Sequence, residues 1–444
     1  MSEQLLATDS QCAAAPGSDG STVRHHGSTK PAGGGGVNAW IIYATILLTA
    51  IIFAIGQFKV PPTMTAAMAD LGIGLTQGGL LMSIVAITAI VLALFGGMLT
   101  VRFRPKTLAI SAICCALAGN LVGYAAPSFE LLLFSRLLEG LGYGLQTAIM
   151  PTIIAEIFPE NKRSIPMALY SMWVSIGMLF IFNFSNVLSV SWGWRSCWLF
   201  CAALFLVALV LFAFVVKEPQ DSALGADGTT WQEQKRAIGI EAKNPSIWCL
   251  TLVFTIFGLG CSAFSTFAPT FCVQALGMDP AAANTDTGFL TFGMIAGALM
   301  MTGILAVYRR SRSVLLIVAT VITGVFFALS FLLNAPWQVI PFCLVNGVVL
   351  QTIPPIVFAV CPSAAMQPRT VGMALGIATA GDHLGAFVGT VALGAIVESA
   401  GNDWLAAVPA MAVFAVVGVL GAIGFHYFMK KRAAQAFTAE PAEA

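Results

Sequence analysis

Few residues of this 444-residue chain could do chemistry, because 58% of it is hydrophobic and only 9% is charged. The most telling stand in ELLLFSRLLEGLGYGLQTAIMPTIIAEIFP, Glu130 to Pro159, where Arg136 and Glu139 fall inside an apolar run long enough to cross a bilayer. An ionised side chain at bilayer depth costs at least ~2.5–3.5 kcal/mol, so it normally faces a partner or a watered cavity. Three residues apart, Arg136 and Glu139 share one helix face and can pair. The planar fork of Arg136 suits a carboxylate or similar anion. Glu139 has a second use, since a low-dielectric site favours the neutral form of a carboxylate and lets it carry a proton. The plainer reading is an ion pair that only holds the helix in register. Gly140, Gly142 and Gly144 remove bulk beside the pair and let another helix approach.

Two further sets of ionisable residues lie inside apolar runs. Lys59, in FKVPP, stands about twenty residues into the first run. It either lines an interior cavity, where a buried ammonium needs an anion that a substrate could supply, or it snorkels to the outer interface. Asp382 and His383 stand together in ATAGDHLGAFVG. Neighbours on a helix point about 100° apart, so both line a cavity only at its edge. Histidine titrates near neutral pH and could relay protons; the plainer reading is a hydrogen-bonded pair at a helix interface. Gly381, Gly385 and Gly389 form a small-residue stripe beside them, which predicts close packing. The amides Gln57, Gln146, Asn346 and Gln351, with Asn120 and Asn183, either touch a substrate or bond between helices. Lys59, Arg136, Gln57, Gln146, Asn346 and Gln351 are thus candidate substrate ligands, and Glu139, Asp382 and His383 candidate proton carriers. Pro61-Pro62, Pro151, Pro269 and Pro354-Pro355 break helical hydrogen bonds inside runs and could act as hinges.

What is missing narrows the field. There is no G-x-x-x-x-G-K-[ST], H-E-x-x-H or G-x-S-x-G pattern, so the chain offers no nucleotide motor and no catalytic constellation. Nine of the ten cysteines lie in or beside apolar runs without C-x2-C spacing, and read as apolar packers rather than metal ligands. A net charge of +1 argues against a nucleic-acid partner. We expect no enzyme and no cofactor, and any work the chain does must draw on an ion or substrate gradient.

A bilayer core of ~30 Å needs ~20 apolar residues per helix, and that measure predicts twelve spans, at 38–66, 76–100, 107–126, 130–157, 165–189, 195–216, 246–273, 285–308, 314–333, 337–361, 370–397 and 404–429. The Lys and Arg residues collect on one face, among them Lys106, Lys162, Lys217, Arg312, Lys430 and Arg432. The opposite loops hold mainly acids, Asp70, Glu130, Asp279, Asp286, Glu398 and Asp403, with Arg195 the one clear base. This asymmetry predicts cytoplasmic termini. Trp192, Trp194, Trp337 and Trp404 are expected at the outer interface, and Trp40 and Trp248 at the inner one. Residues 1–37, polar and ending in Gly33 to Gly36, read as a disordered cytoplasmic tail without a signal peptide. Bundles at 38–216 and 246–430 are joined by a cytoplasmic linker, 217–245, and followed by a tail, 431–444.

The two bundles look like copies. Gly97-Met98-Leu99-Thr100-Val101 matches Gly303-Ile304-Leu305-Ala306-Val307, and Arg163 with Met167-Ala168-Leu169 matches Arg369 with Met373-Ala374-Leu375, both at an offset of 206. Phe53-Ala54-Ile55-Gly56 parallels Phe257-Gly258-Leu259-Gly260 at 204, and Leu71-Gly72 parallels Leu276-Gly277 at 205. At an offset of 206, Arg136 and Glu139 fall on Phe342 and Val345, so the charge pair belongs to one half only.

Two six-span repeats, the basic turn at Gly97 to Lys106, RLLEGLG from Arg136 to Gly142, Phe158-Pro159 with Lys162-Arg163, and Trp192-Gly193-Trp194-Arg195 together resemble the major facilitator superfamily over roughly residues 38–430. The superfamily's loop motif usually carries an aspartate where this chain has Val101 and Val307, so any gate ion pair built on that acid must be absent or replaced, for example by Glu156 with Arg163 or Arg102. Phe58-Lys59-Val60-Pro61-Pro62 is similar to the arrangement in the branch of cyanate and nitroimidazole permeases, which has Arg at the lysine position. The resemblance implies an all-α integral membrane protein of twelve transmembrane helices in two six-helix pseudo-symmetric halves. It also implies a secondary transporter; with Lys59 and Arg136 to hold it, the expected cargo is a small anion, carried with protons or in exchange for a counter-anion by a monomer in the cell membrane. The alternatives are a proton-driven multidrug exporter and a non-transporting receptor or scaffold of the same fold.

Overall fold

The computed structural model describes residues 39–159, 162, 164–216, 231–308, 311–367 and 370–439. The expected tail at 1–37, the start of the linker, Arg163 and Arg369 lie outside the described residues. So do the side chains of Arg102 and Glu156, and with them the expected replacement of the loop acid.

The chain is an all-α membrane protein built on helices α1 (Ala39–Phe58), α2 (Val60–Leu71), α3 (Leu75–Arg102), α4 (Pro105–Tyr124), α5 (Phe129–Ile157), α6 (Ser164–Tyr170), α7 (Trp173–Trp192) and α8 (Ser196–Val215). These are followed by α9 (Trp231–Glu241), α10 (Pro245–Leu276), α11 (Pro280–Val307), α12 (Arg312–Leu329), α13 (Val339–Leu350), α14 (Ile353–Ala364), α15 (Val371–Ser399) and α16 (Ala407–Ala439). Among the described residues, eleven segments are long and apolar enough to cross a membrane, with α1–α2 and α13–α14 each making one span. α5, at 29 residues, is long enough for the twelfth. Its Arg136, Glu139 and glycines lower its hydropathy, as befits a helix that faces other helices instead of lipid.

Local chemistry explains the ends and breaks. Ser128, Asn244 and Asp279 cap α5, α10 and α11 by accepting hydrogen bonds from the first backbone N–H groups. Asp279 thereby starts α11 at Pro280, and Asp286, expected in a loop, lies inside that helix. The helix of span one is interrupted at Lys59 because Pro61 and Pro62 lack N–H groups and leave carbonyls of the preceding turn without their helical donors. The linker is not a plain loop: its second part is α9, and Glu241 at its end is fully buried.

Small residues set the packing. A side chain at Gly142 would run into the Ala112 carbonyl of α4, and one at Gly140 or Gly144 would meet Val85, Thr88 or Leu92 of α3, so α5 lies tightly between those two helices. The predicted stripe Gly381, Gly385 and Gly389 packs α15 onto the backbone of α10 at Thr251, Thr255 and Leu259. The repeat also has a physical basis at its ends. Gly72 and Gly277 both cap their helices at left-handed φ, 64° and 65°, which glycine adopts without strain.

The spans run so that both ends of the described chain lie on one side, called here the termini's side. The far side is stapled. Glu398 of α15 accepts from the backbone N and hydroxyl of Thr76 on α3, at 2.9 and 2.6 Å. Asn284 of α11 donates to Pro62 O at 3.0 Å and to Asn186 Oδ1 at 2.7 Å, and Asn186 donates to Ala281 O at 3.2 Å. Of the tryptophans expected at interfaces, Trp40, Trp192, Trp248 and Trp337 are well exposed, but Trp194 and Trp404 are buried. Their rings are taken up by neighbouring helices: Trp194 donates to the exposed Asp70, and Trp404 donates to the exposed Gln274 while packing on Phe267, Phe271 and Phe331.

Candidate functional site

The break in span one puts Lys59 into the middle of the first six spans, and α5 brings Arg136 and Glu139 to meet it. Lys59 Nζ lies 2.6 Å from Glu139 Oε2 and donates at 2.8 Å to Asn120 Oδ1 of α4. It also stands 4.8 Å from the ring centroid of Trp198 on α8, a cation–π contact. Arg136 donates to the same Glu139 oxygen from the other side. Lys59 and Arg136 are both 0% exposed and Glu139 5%. Lys59 therefore does not snorkel: it is paired in the interior, as the cost of an isolated buried charge demands.

Arg136 does more than pair. Its Nε donates to Leu81 O at 3.0 Å, and its two terminal nitrogens to Gly56 O and Gln57 O at 3.1 Å each. The Gln57 carbonyl is one that Pro61 leaves without its helical donor, so the guanidinium repairs the break that positions Lys59. The side chain of Gln57 is a weaker partner, its Oε1 3.4 Å from Arg136. The cluster carries two cations on one carboxylate, and Glu139 Oε1 is buried with no hydrogen-bond partner among the described residues.

The other predicted residues lie apart from this cluster. Gln146, fully buried on α5, donates to the Tyr170 hydroxyl at 2.8 Å, and its own oxygen is unpartnered. Asn346 of α13 is fully buried with neither its nitrogen nor its oxygen bonded among the described residues. Buried amides without partners are rare and imply a water or a ligand. Gln351 sits half-buried where α13 gives way to α14, ahead of Pro354-Pro355. Asp382 and His383 are half-buried on α15, and no hydrogen bond joins them among the described residues. The Asp382 carboxylate lies against Gly258 of α10 and within electrostatic reach of Tyr143 on α5, across from the other half.

Sequence reading missed three contributors. Asn120 was seen only as one amide among several, and Trp198 and Glu241 were not singled out. An aromatic ring at the start of a span, the third residue of α8, gives no local signal of a cation beside it. Glu241, at the end of α9, accepts from Asn244 Nδ2 at 2.9 Å, Met366 N at 2.8 Å and the Thr370 hydroxyl.

The family profile of the Major Facilitator Superfamily matches residues 46–368. Human Protein spinster homolog 1 is 26% identical over 281 residues, 60% of this chain and 53% of that protein, and Drosophila melanogaster Protein spinster is 25% identical over 280 residues, 61% and 45%. This chain thus spans about half the length of these relatives. The Bacillus subtilis MFS-type transporter YtbD is 24% identical over 88% of this chain and 97% of its own. In fold, a bacterial homolog of the human lysosomal transporter spinster, solved in an inward-facing and occupied conformation, superposes with a TM-score of 0.70 at 16% identity, covering 91% of this chain and 98% of that one. A D-xylose-proton symporter gives the same TM-score and identity over 88% and 98%.

Proposed function

Because the chain belongs to the Major Facilitator Superfamily and is a transporter by that membership, we propose that its cargo is a small organic or inorganic anion, moved across the cell membrane by alternating access and coupled to protons through Glu139. The observation that carries this reading is the pair of cations held by one carboxylate oxygen. Lys59, Arg136 and Glu139 together leave a net positive charge in a dry interior, a costly state that an anion relieves. Protonation at the unpartnered Oε1 of Glu139 removes the one negative charge and strengthens the demand for an anion. Proton and anion then bind better together than apart, and the coupling is reciprocal. Asn346 and Gln146, with buried unpartnered atoms, are the amides best suited to complete the cargo site, and Gln57 and Gln351 stand at the two helix breaks. Asp382 and His383 are a second proton route from the other half.

The cluster is occluded, so cargo reaches it only as the bundles 38–216 and 246–430 rock about the linker, in a monomer with cytoplasmic termini. The hydrogen bonds between them gather on the far side, which supports a state closed there and open toward the termini. The break at Lys59 and Pro61-Pro62 is the natural hinge.

Proteoliposome flux tests the proposal. Lys59→Ala and Arg136→Ala are expected to abolish uptake of a small anion, and Glu139→Gln to remove its dependence on a proton gradient. Small carboxylates should compete and lipophilic cations should not. Uptake unchanged in both cation variants would sink the site, and competition by lipophilic cations alone would favour a drug exporter.

A further inference from the structure

A second concentration of positive charge lies far from the transport cluster. At the termini's side of the last six spans, α11, α12, α14 and α16 wall a cavity of about 720 Å³ whose polar lining is Tyr308, Ser311, Arg312, Ser313, His426 and Lys430, with Ser363 on its edge. Among the described residues no carboxylate lines it. Arg312 gives one hydrogen bond to Ala359 O at 3.3 Å and makes no ion pair among the described residues. Ser311 is the N-cap of α12 but its hydroxyl does not cap the helix; it pairs with the Ser313 hydroxyl at 2.8 Å, and Ser313 pairs with His426 Nδ1 at 2.8 Å. His426 Nε2 has no partner among the described residues. Two full cations from two helices, an imidazole, a run of hydroxyls and an uncapped helix N-terminus converge on one roomy site, which is the donor set that a phosphate with several acceptor oxygens requires.

The walls say what brings that phosphate. On the same two helices, Val314 and Val318 follow the lining residue Ser313 in α12, and Ile423 and Tyr427 flank the lining residue His426 in α16, all exposed as lipid-facing side chains are. A free phosphate needs no such surface, whereas acyl chains do. We propose that this cavity binds the headgroup of an anionic phospholipid from the leaflet on the termini's side, with Arg312 and Lys430 on the phosphate and Ser311, Ser313 and His426 completing its hydrogen bonds.

Native mass spectrometry of the purified full-length chain, titrated with phosphatidylglycerol and with phosphatidylcholine, tests this without any transport readout, so it stands or falls apart from the cargo assignment. The wild type should retain phosphatidylglycerol preferentially. Because each surface cation contributes about a five-fold factor toward an anionic lipid, R312Q/K430Q should weaken that binding roughly twenty- to thirty-fold and leave phosphatidylcholine unchanged. Ser313→Ala, a milder change, should weaken it less. Lys106→Gln, at the same side but bonded to Ala213 O in the first six spans, should have no effect. Equal retention of the two lipids, an unaffected double variant, or an equal loss in Lys106→Gln would overturn the site. Displacement of phosphatidylglycerol by millimolar inorganic phosphate would reassign it to a soluble anion and overturn the lipid.

Discussion

Lys59 and Arg136 donate to one and the same oxygen of Glu139, Oε2, reached from α1–α2 on one side and from within α5 on the other. The three charges therefore act as a unit, and their deletions cannot be additive. Glu139→Gln strands two buried cations and should lower stability by about 3–5 kcal/mol. Adding Lys59→Met should restore a good part of that loss, because it removes one of the stranded charges. Thermal melting in detergent reads both; a double variant no more stable than the single one would mean that the two side chains are not energetically coupled.

The far-side staple of Thr76 to Glu398 should bias the two halves toward closure there. Glu398→Ala removes both hydrogen bonds at 2.9 and 2.6 Å. With spin labels at the exposed Gln77 and Leu405, in a background whose native cysteines are replaced, the inter-label distances should shift to longer values. A distribution identical to that of the parent would show that the staple does not hold the gate.

Close approach of α15 to α10 depends on Gly385, where any β-carbon would collide with the Thr255 carbonyl. Gly385→Val should cost about 1–3 kcal/mol or prevent assembly, as overpacking does. Gly303, on exposed α11, has nothing near the position of a β-carbon, and Gly303→Ala should be neutral or stabilising by up to ~1 kcal/mol through helix propensity. Melting temperatures that moved together in the two variants would contradict this packing.

Glu241 ties α9 to the turn before α15 by accepting from Asn244, Met366 and Thr370. The same turn is held by Arg432 of α16, which donates to Ala364 O and Ala365 O at 2.9 and 3.0 Å. Glu241→Ala should destabilise by about 1.5–3 kcal/mol, the range for a hydrogen bond to a charged group, and should speed amide exchange at 364–367 measured by hydrogen–deuterium exchange. Unchanged exchange there would leave the linker helix without an anchoring role.

Twelve crossings, their approximate ends and the likeness of the two halves were legible in the sequence, because hydrophobic length and turn chemistry are local properties. The stripe Gly381, Gly385 and Gly389 announced itself through spacing, whereas Gly72 and Gly277 were legible only as matching positions of the two halves and their left-handed φ came from the structure. Arg136 and Glu139 were legible as a pair for the same reason: three residues on one helix decide that they meet. The internal copy also carried information, since Arg136 corresponds to Phe342 and Lys59 to Ala263 or Phe264. In the last six spans Phe264 and Phe342 do pack together, their centroids 5.8 Å apart. One half has an aromatic contact where the other has its charge cluster.

Only the tertiary structure decided which of two fates Lys59 had, because burial of an ammonium depends on what three other helices, α4, α5 and α8, bring to it. Asn120, Glu139 and Trp198 stand 61, 80 and 139 residues away along the chain, and no local pattern encodes such a meeting. The same holds for Trp194 and Trp404, whose rings are buried while they donate to the exposed Asp70 and Gln274, and for Glu241, two of whose donors lie on a turn more than 120 residues away. Hydrophobic pattern and turn chemistry fix where a helix begins and ends; the partner of a buried charge is chosen by packing between helices far apart in the chain.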